Sequence, residues 1–285
     1  MSYFSLIYLC VFSLVISVFS FFNIIYSYYF NLYLNLNTYT YTLFLSLILG
    51  IIFLFKKRDN LKISIYHKIL TVISGYFILP LLISLPFYLS IYNVTFIDSY
   101  FEAISGFTST GFTIFPNIKH LDESLILWRS SSQWIGGLYF LFSIILLIDI
   151  FDNNLKKSLT NFLSFDISES LKQSSKILIL YTLLTIVIFV FLKLFDFRSF
   201  DSLNLSMSLI SSGGFLPVNN LSSIVNSNIK EIVFSLTMLV SFFSIFLSYN
   251  LIFFKNKNIS FFQEDILLFI YFLILVFLFY IFFNY

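Results

Sequence analysis

Seven long apolar runs constrain this sequence more than any other feature. A helix that spans a bilayer needs about 20 consecutive, mostly apolar residues, and each run meets or approaches that length. The runs cover about 3–30, 39–55, 67–92, 124–149, 174–195, 230–254 and 265–284. With 59% hydrophobic and 11% charged residues, the chain has more apolar surface than a soluble fold can bury. The sequence therefore predicts an all-α membrane protein with about seven transmembrane helices.

Basic residues are concentrated in alternate connecting segments. Most of the 16 Lys and Arg residues lie in 56–68, 150–176 and 255–264. Because basic loops stay on the cytoplasmic side, we predict a multi-pass plasma-membrane protein with a cytoplasmic N-terminus and an external C-terminus. Segments 93–123 and 196–229 then lie outside the cell.

The sequence gives little support to an enzyme or a metal centre. Cys10 is the only cysteine, which excludes an internal disulfide, and His67 and His120 are the only histidines. Neither histidine lies in the core of a predicted span, and no His-Glu-x-x-His motif occurs. The net charge of +2 says nothing in favour of nucleic acid. We expect no enzymatic activity, no cofactor, no metal beyond a transported ion and no nucleic-acid partner. The lipid bilayer is the surrounding partner.

Two external segments, 96–116 and 199–217, are moderately polar and too short to span. This pattern is typical of re-entrant segments, in which a half-helix enters the membrane and a loop returns. Non-helical backbone at membrane depth persists only where protein buries it or where it lines a wet cavity.

The same two segments form an internal repeat. At a constant offset of 103 residues, Asp98 aligns with Asp201 and Gly111 with Gly214. Repeats define an architecture, and here the unit is helix, pore loop, helix. The predicted organisation is an N-terminal helix pair in 1–58, a first repeat in 59–150, a second repeat in 151–256 and a terminal helix in 257–285.

Each half-helix is followed directly by glycine and hydroxyl residues. Asp98 and Asp201 are predicted N-caps of the half-helices, whose negative ends then point at the loops. The candidate ion-filter residues are Thr108, Ser109, Thr110, Gly111, Ser212, Gly213 and Gly214. Glycine lets carbonyl oxygens turn toward an axis, and rings of carbonyls replace the hydration shell of K⁺ in selective filters. We predict a carbonyl-lined path for a monovalent cation.

Three further polar residues are candidates for pore support. Arg129 and Gln133 lie four residues apart and share a helix face. They fit a polar brace behind the filter, and the alternative is an arginine that reaches interfacial water. Glu102 is expected to make a structural hydrogen bond, with electrostatic attraction of cations as the alternative. Gly136 and Gly137 are expected to allow a close helix contact.

The stretches FEAISGFTSTGFT (101–113) and LILWRSSSQWIGGL (125–138) resemble the first filter loop and following helix of the Trk/Ktr/HKT potassium transporter superfamily, its TrkH branch in particular. LISSGGFLPVNN (209–220) resembles the second filter loop. The resemblance implies K⁺, or K⁺ with Na⁺, as the permeant ion, and glycine at Gly111 and Gly214 fits the K⁺ pattern. It also implies a cytosolic nucleotide-binding regulatory subunit.

The resemblance further implies four repeats around one pore, whereas two are visible here. Residues 265–284 resemble the first helix of a third repeat. We therefore expect the chain to be incomplete alone. A second chain could supply the remaining two repeats, two copies could pair as a homodimer, or the sequence could derive from a split or truncated gene. The alternative function is a non-conducting membrane subunit or relic that only binds partners.

Overall fold

The computed structural model describes residues 3–54, 65–151 and 167–242, together with 267, 270–278 and 281–282. The predicted basic segment 255–264, and most of the other two, lie outside these residues. The chain divides into two compact units, Met1–Phe234 and Ser235–Tyr285. The described part of the second unit contains the end of one helix and the helical residues 270–278.

Regular structure in the described ranges is helical throughout. In chain order the α-helices there are α1 Tyr3–Tyr29, α2 Leu36–Leu54, α3 Ile65–Ile83, α4 Leu85–Tyr88, α5 Phe96–Phe107, α6 Glu123–Phe151, α7 Ile167–Leu194, α8 Ser199–Ile210 and α9 Asn228–Phe242. Short 3-10 helices occupy Ile118–His120 and Leu221–Ser223. The prediction of an all-α fold is confirmed.

Three described helical stretches are long and apolar enough to cross a membrane: Tyr8–Tyr29, Tyr66–Tyr88 and Ile177–Leu194. The apolar stretch of α2, Leu36–Ile52, is shorter. The count of seven spans and the re-entrant character of the external segments therefore stay predictions.

The predicted span 67–92 is interrupted at Ser84, between α3 and α4. Pro86 lies in the first turn of α4, where a missing N–H costs no intrahelical hydrogen bond. The N–H of Ser84 still donates to Pro80 O at 2.8 Å. The interruption is therefore local, and the apolar stretch continues through it.

Helix α6 is the central element of the first unit, because it packs against α1, α3, α5 and α8. The indole N–H of Trp128 donates to Ile83 O, and that of Trp134 donates to Thr185 Oγ1, each at 2.9 Å. An apolar cluster that includes Leu192, Leu205 and Val233 joins α7, α8 and the start of α9. Both short helices, α5 and α8, therefore pack against α6, and α8 is also held by α7 and α9.

The two short helices repeat in structure at the same offset of 103 residues as in the sequence. Helices α5 and α8 contain 12 residues each. Left-handed residues precede them, Asn93 at φ 52° and Asp196 at φ 60°, and left-handed serines follow them. The 3-10 helices that come next are also 103 residues apart. The repeat therefore extends well beyond the identities that first indicated it.

The predicted N-caps are wrong by about one helical turn. Thr95, not Asp98, caps α5: its Oγ1 accepts from the N–H of Asp98 at 3.2 Å and donates to the Asp98 carboxylate at 2.7 Å. Arg198 occupies the N-cap position of α8, without a side-chain capping bond, and Asp201 lies in the first turn. Both carboxylates are thus at the third helical position, where they still face the positive end of the helix dipole.

Candidate functional site

The first loop is tied to the end of α5 by its own N–H groups. The N–H of Ser109 donates to Gly106 O and that of Thr110 donates to Ser105 O, each at 2.9 Å. Ser105 Oγ also donates to Phe112 O at 2.6 Å. In a trans peptide the carbonyl points opposite to the N–H. The carbonyls that share those peptide groups therefore point away from the helix.

The second loop makes the equivalent turn at the end of α8. Ser212 is left-handed, with φ 52°, where Ser109 has φ 56°. The N–H of Gly213 donates to Ser208 O at 2.7 Å, and Ser208 Oγ donates to Gly213 O at 3.2 Å. Two segments of different sequence thus present the same backbone path.

The two loops touch through their glycines. A Cβ atom at Gly111 would lie 2.5 Å from Gly214 Cα, and one at Gly214 would lie 3.1 Å from Gly111 Cα. Gly111 also has φ 79°, in the region that L side chains rarely adopt. The contact is backbone against backbone, and it brings the two predicted filter segments side by side.

Glu102 holds the first loop from behind. Its Oε1 accepts from Thr113 Oγ1 at 3.0 Å and its Oε2 accepts from the N–H of Ile114 at 2.9 Å. The same carboxylate pairs with Arg129, Nε to Oε1, at 2.8 Å, and both side chains are buried. A buried charge needs such a partner. Glu102 therefore makes the structural hydrogen bonds expected of it.

Arg129 connects this ion pair to the second loop. Its guanidinium donates to Leu216 O at 3.4 Å, and its Cζ lies 4.2 Å from the centroid of the Phe215 ring. That stacking is a cation–π contact. With a side chain 1% exposed, Arg129 does not reach interfacial water, so that alternative is wrong.

Gln133 lies one turn further along α6 and hydrogen-bonds to the second loop and to the end of α8. In the amide orientation that gives both ends partners, its oxygen accepts from the N–H groups of Gly214 and Phe215, each at 2.9 Å. Its nitrogen then donates to Ser208 Oγ at 3.0 Å. The side chain thus fixes the direction of two successive peptide groups in the second loop.

Two glycines on α6 pack closely against the C-terminal ends of the two short helices. A Cβ at Gly136 would lie 1.9 Å from Phe107 O, at the end of α5. A Cβ at Gly137 would lie 2.8 Å from Ser211 Cβ, just after α8. A side chain at either position would push a short helix away, so α6 and both loops form one packed group.

Asp98 and Asp201 lie in the first turns of α5 and α8, at the opposite end from the loops. Burial raises the pKa of the Asp201 carboxyl, while nearby Arg198 opposes the shift. Arg198 also pairs with Glu123. The structure therefore brings Glu102, Arg129 and Gln133 to the loops and leaves the two aspartates at a distance.

Sequence reasoning missed Thr113 and Phe215 as parts of this site. Thr113 Oγ1 donates to Glu102 and also accepts from an Arg129 nitrogen at 3.0 Å, and so it links the ion pair to the loop. The repeat gave a signal for Phe215, since it aligns with Phe112. Among the described residues, no group of three or more His, Cys, Asp or Glu side chains could hold a metal ion. The loops offer carbonyl and hydroxyl oxygens instead.

Comparison with known proteins identifies the protein family. The family model of TrkH, described as a cation transport protein, matches residues 35–283. The chain therefore belongs to the TrkH family of membrane ion transporters, which is not a family of enzymes.

Individual relatives agree with this assignment. The chain is 29% identical over 215 residues to an uncharacterized cation transporter of Methanocaldococcus jannaschii, covering 73% of this chain and 44% of that protein. It is 27% identical over 203 residues to the Trk system potassium uptake protein TrkG of Escherichia coli, covering 69% and 42%. The chain thus spans less than half the length of these curated relatives.

The fold matches a crystal structure of the potassium transporter TrkH from Vibrio parahaemolyticus. The TM-score is 0.67 at 21% identity, over 87% of this chain and 52% of that chain. At this level of identity the likeness shows a shared fold.

Proposed function

We propose that this chain forms part of a transmembrane path for a monovalent cation, with K⁺ as the expected ion and Na⁺ as the alternative. Thr108–Gly111 and Ser212–Gly214 are the proposed filter strands. The observation that carries the proposal is the backbone contact between Gly111 and Gly214, made by two loops with the same turn. Two equivalent strands meeting in this way suit a pore lined by several strands.

The chemistry of the loops supports a monovalent cation. In the first loop the N–H groups of Ser109 and Thr110 bond back to α5, and in the second loop those of Ser212 and Gly213 bond back to α8. The carbonyls of these four peptide groups point away from the short helices. The negative ends of the helix dipoles of α5 and α8 point at the same loops. Neither loop contains a carboxylate, and Arg129 neutralises the nearby Glu102. A cation would therefore exchange water for carbonyl oxygen, as in carbonyl filters.

The supporting roles follow from the contacts. Glu102 holds the first strand, Gln133 holds the second, and Arg129 joins the two. Asp98 and Asp201 are proposed to support the pore less directly, from the first turns of the short helices, where Asp98 accepts a hydrogen bond from Thr95.

The proposed setting is the plasma membrane, with about seven spans, two re-entrant segments, a cytoplasmic N-terminus and an external C-terminus. Two further repeats would complete the pore, supplied by a second chain or by a second copy. A cytosolic nucleotide-binding subunit is the proposed regulator. Relatives named as potassium uptake proteins support K⁺ as the transported ion.

Potassium uptake in a strain that lacks its own uptake systems tests the proposal. The chain is expressed alone and then together with the product of its neighbouring gene. Rescue by the chain alone would mean that two repeats suffice, and rescue only with the neighbour would mean that two chains build the pore. No rescue in either case, with the protein confirmed in the membrane, would contradict the proposal and favour a non-conducting subunit.

A further inference from the structure

Asn219 lies five residues after Gly214, beyond the second loop, and contacts the first repeat. Its side-chain oxygen accepts from the N–H of Ile118, and its side-chain nitrogen donates to Asn117 Oδ1, each at 2.7 Å. Both ends of the amide are therefore paired with complementary groups, which fixes its orientation. The two asparagines are 102 positions apart in the chain.

The contact completes the start of the 3-10 helix Ile118–His120. The first N–H groups of a helix have no partner within it. Asn117 is the N-cap of this helix and accepts from the N–H of Lys119 at 3.2 Å. The N–H of Ile118 has its acceptor on Asn219 instead. The start of this helix is thus held by one asparagine from each repeat.

The repeat itself does not explain this contact. At the offset of 103 residues Asn219 corresponds to Pro116, which has no side-chain amide. Asn220 corresponds to Asn117, and as N-cap of the second 3-10 helix it makes no side-chain capping bond. Two adjacent asparagines of the second repeat therefore differ, and it is Asn219 that joins the repeats.

Asn219 adds a third connection between the two candidate loops. Gly111 and Gly214 meet directly, and Arg129 links the ion pair of the first repeat to Leu216 O. The Asn219 contact lies further along both segments. The stretches that follow the two glycines are thus fixed to each other at both ends. The ends of the proposed filter strands that lie beside these stretches are held at a set separation.

We propose that Asn219 is a positioning residue of the filter: its amide holds the two strands at a fixed separation and so contributes to the choice between K⁺ and Na⁺. The inference rests on the proposed function, because it assumes that these strands line the ion path. Selectivity in a carbonyl filter depends on the size of the cavity and on the number and freedom of the coordinating oxygens. Asn219 acts through the backbone of the first segment and needs no contact with the ion.

Amide hydrogen exchange tests the contact without any transport, in the full-length chain in detergent micelles. Asn219→Leu keeps the size of the side chain and removes both hydrogen bonds, and Asn220→Leu is the matched control one residue later. We expect the N–H of Ile118 to exchange about fivefold faster in the first variant and at the wild-type rate in the control. Unchanged exchange in Asn219→Leu would overturn the proposal. If exchange in α6 rises as well, the smaller change Asn219→Ser decides.

Rubidium uptake with competing Na⁺ tests the consequence, in whichever assembly the uptake experiment finds to conduct. We expect Asn219→Leu to lower the Na⁺ concentration that halves Rb⁺ uptake by about threefold, and Asn220→Leu to leave it unchanged. Asn219→Asp keeps the acceptor for the N–H of Ile118 and should recover part of the preference. Lower uptake with unchanged Na⁺ competition would mean a structural role alone and would overturn the proposal.

The two experiments separate this inference from the proposed function. If no assembly takes up Rb⁺, the proposed function fails, and the exchange measurement still decides whether Asn219 holds the first segment. If the wild-type assembly conducts and Asn219→Leu has wild-type Na⁺ competition, the inference fails and the proposed function stands.

Discussion

At Ser109 and Ser212 the chain makes the same left-handed turn, yet the loops that follow are held by different residues. The first loop is hydrogen-bonded to Glu102, a residue of its own short helix. The second depends on Gln133, from the preceding repeat, because its own short helix has Leu205 where α5 has Glu102. Repetition therefore preserves the backbone path, while the means of support changes from one copy to the next. Substitutions that act on one loop alone can test this difference.

Loss of Arg129 should have the largest effect, because it leaves Glu102 buried without a partner. We expect Arg129→Met to cost about 3 to 5 kcal/mol of unfolding free energy, measured by equilibrium unfolding in mixed micelles. The double variant with Glu102→Gln should recover part of that loss. If the double variant is as unstable as the sum of the two single variants, the pair is not coupled.

The two contacting glycines, Gly111 and Gly214, should differ in how well they tolerate substitution by alanine. Gly111→Ala adds a left-handed alanine, at about 1 to 2 kcal/mol, and a clash at 2.5 Å, whereas Gly214→Ala meets its neighbour at 3.1 Å. The Gly111→Ala variant should lower stability and cation uptake more than the Gly214→Ala variant.

Gly111→Ser, in any assembly that conducts, should also lower the preference for K⁺ over Na⁺. Equal effects of the two alanines, or unchanged selectivity, would count against Gly111 in the filter.

Replacement of Gln133 should loosen the second loop alone. Gln133→Met leaves the N–H groups of Gly214 and Phe215 unpaired, a loss of about 1 to 3 kcal/mol. In a background without Cys10, maleimide labelling of Ser212→Cys should become faster, while labelling of Ser109→Cys stays unchanged. Faster labelling at both positions would mean that Gln133 supports the loops jointly.

The two first-turn aspartates should respond differently to substitution, with the smallest effect of the set. Burial raises the pKa of Asp201, so the folded chain holds this proton more tightly than the unfolded chain. The resulting stability is present below the usual aspartate pKa and falls as pH rises through the raised value. Asp201→Asn should therefore raise the melting temperature slightly at neutral pH and flatten its pH dependence. Asp98→Ala, which removes the acceptor for Thr95, should lower it instead.

The helical class and the contact between the two candidate loops could be anticipated from the sequence, because long apolar runs and a repeat of constant offset are visible in it. The N-cap of α5 could not be predicted, since Thr95 and Asp98 are both capping residue types and lie within one turn of each other. The sequence also does not show that Phe112 and Phe215 differ in burial. The same residue type follows the same glycine in both copies, but Phe215 packs against Arg129 and beside Gly106, whereas Phe112 is exposed. Contacts between distant segments decided that part of the site.

Helix α6 also has a consequence for biosynthesis. Arg129 and Gln133 are costly in a bilayer when unpaired, and some of their partners, Leu216, Gly214 and Phe215, lie more than 80 residues later in the chain. During translation, α6 is synthesised well before those partner residues leave the ribosome. In the proposed membrane setting, the polar side of α6 therefore needs water, the translocation machinery or a temporary neighbour until the second loop has been made. We expect the first repeat to complete its packing only after the second repeat has been synthesised.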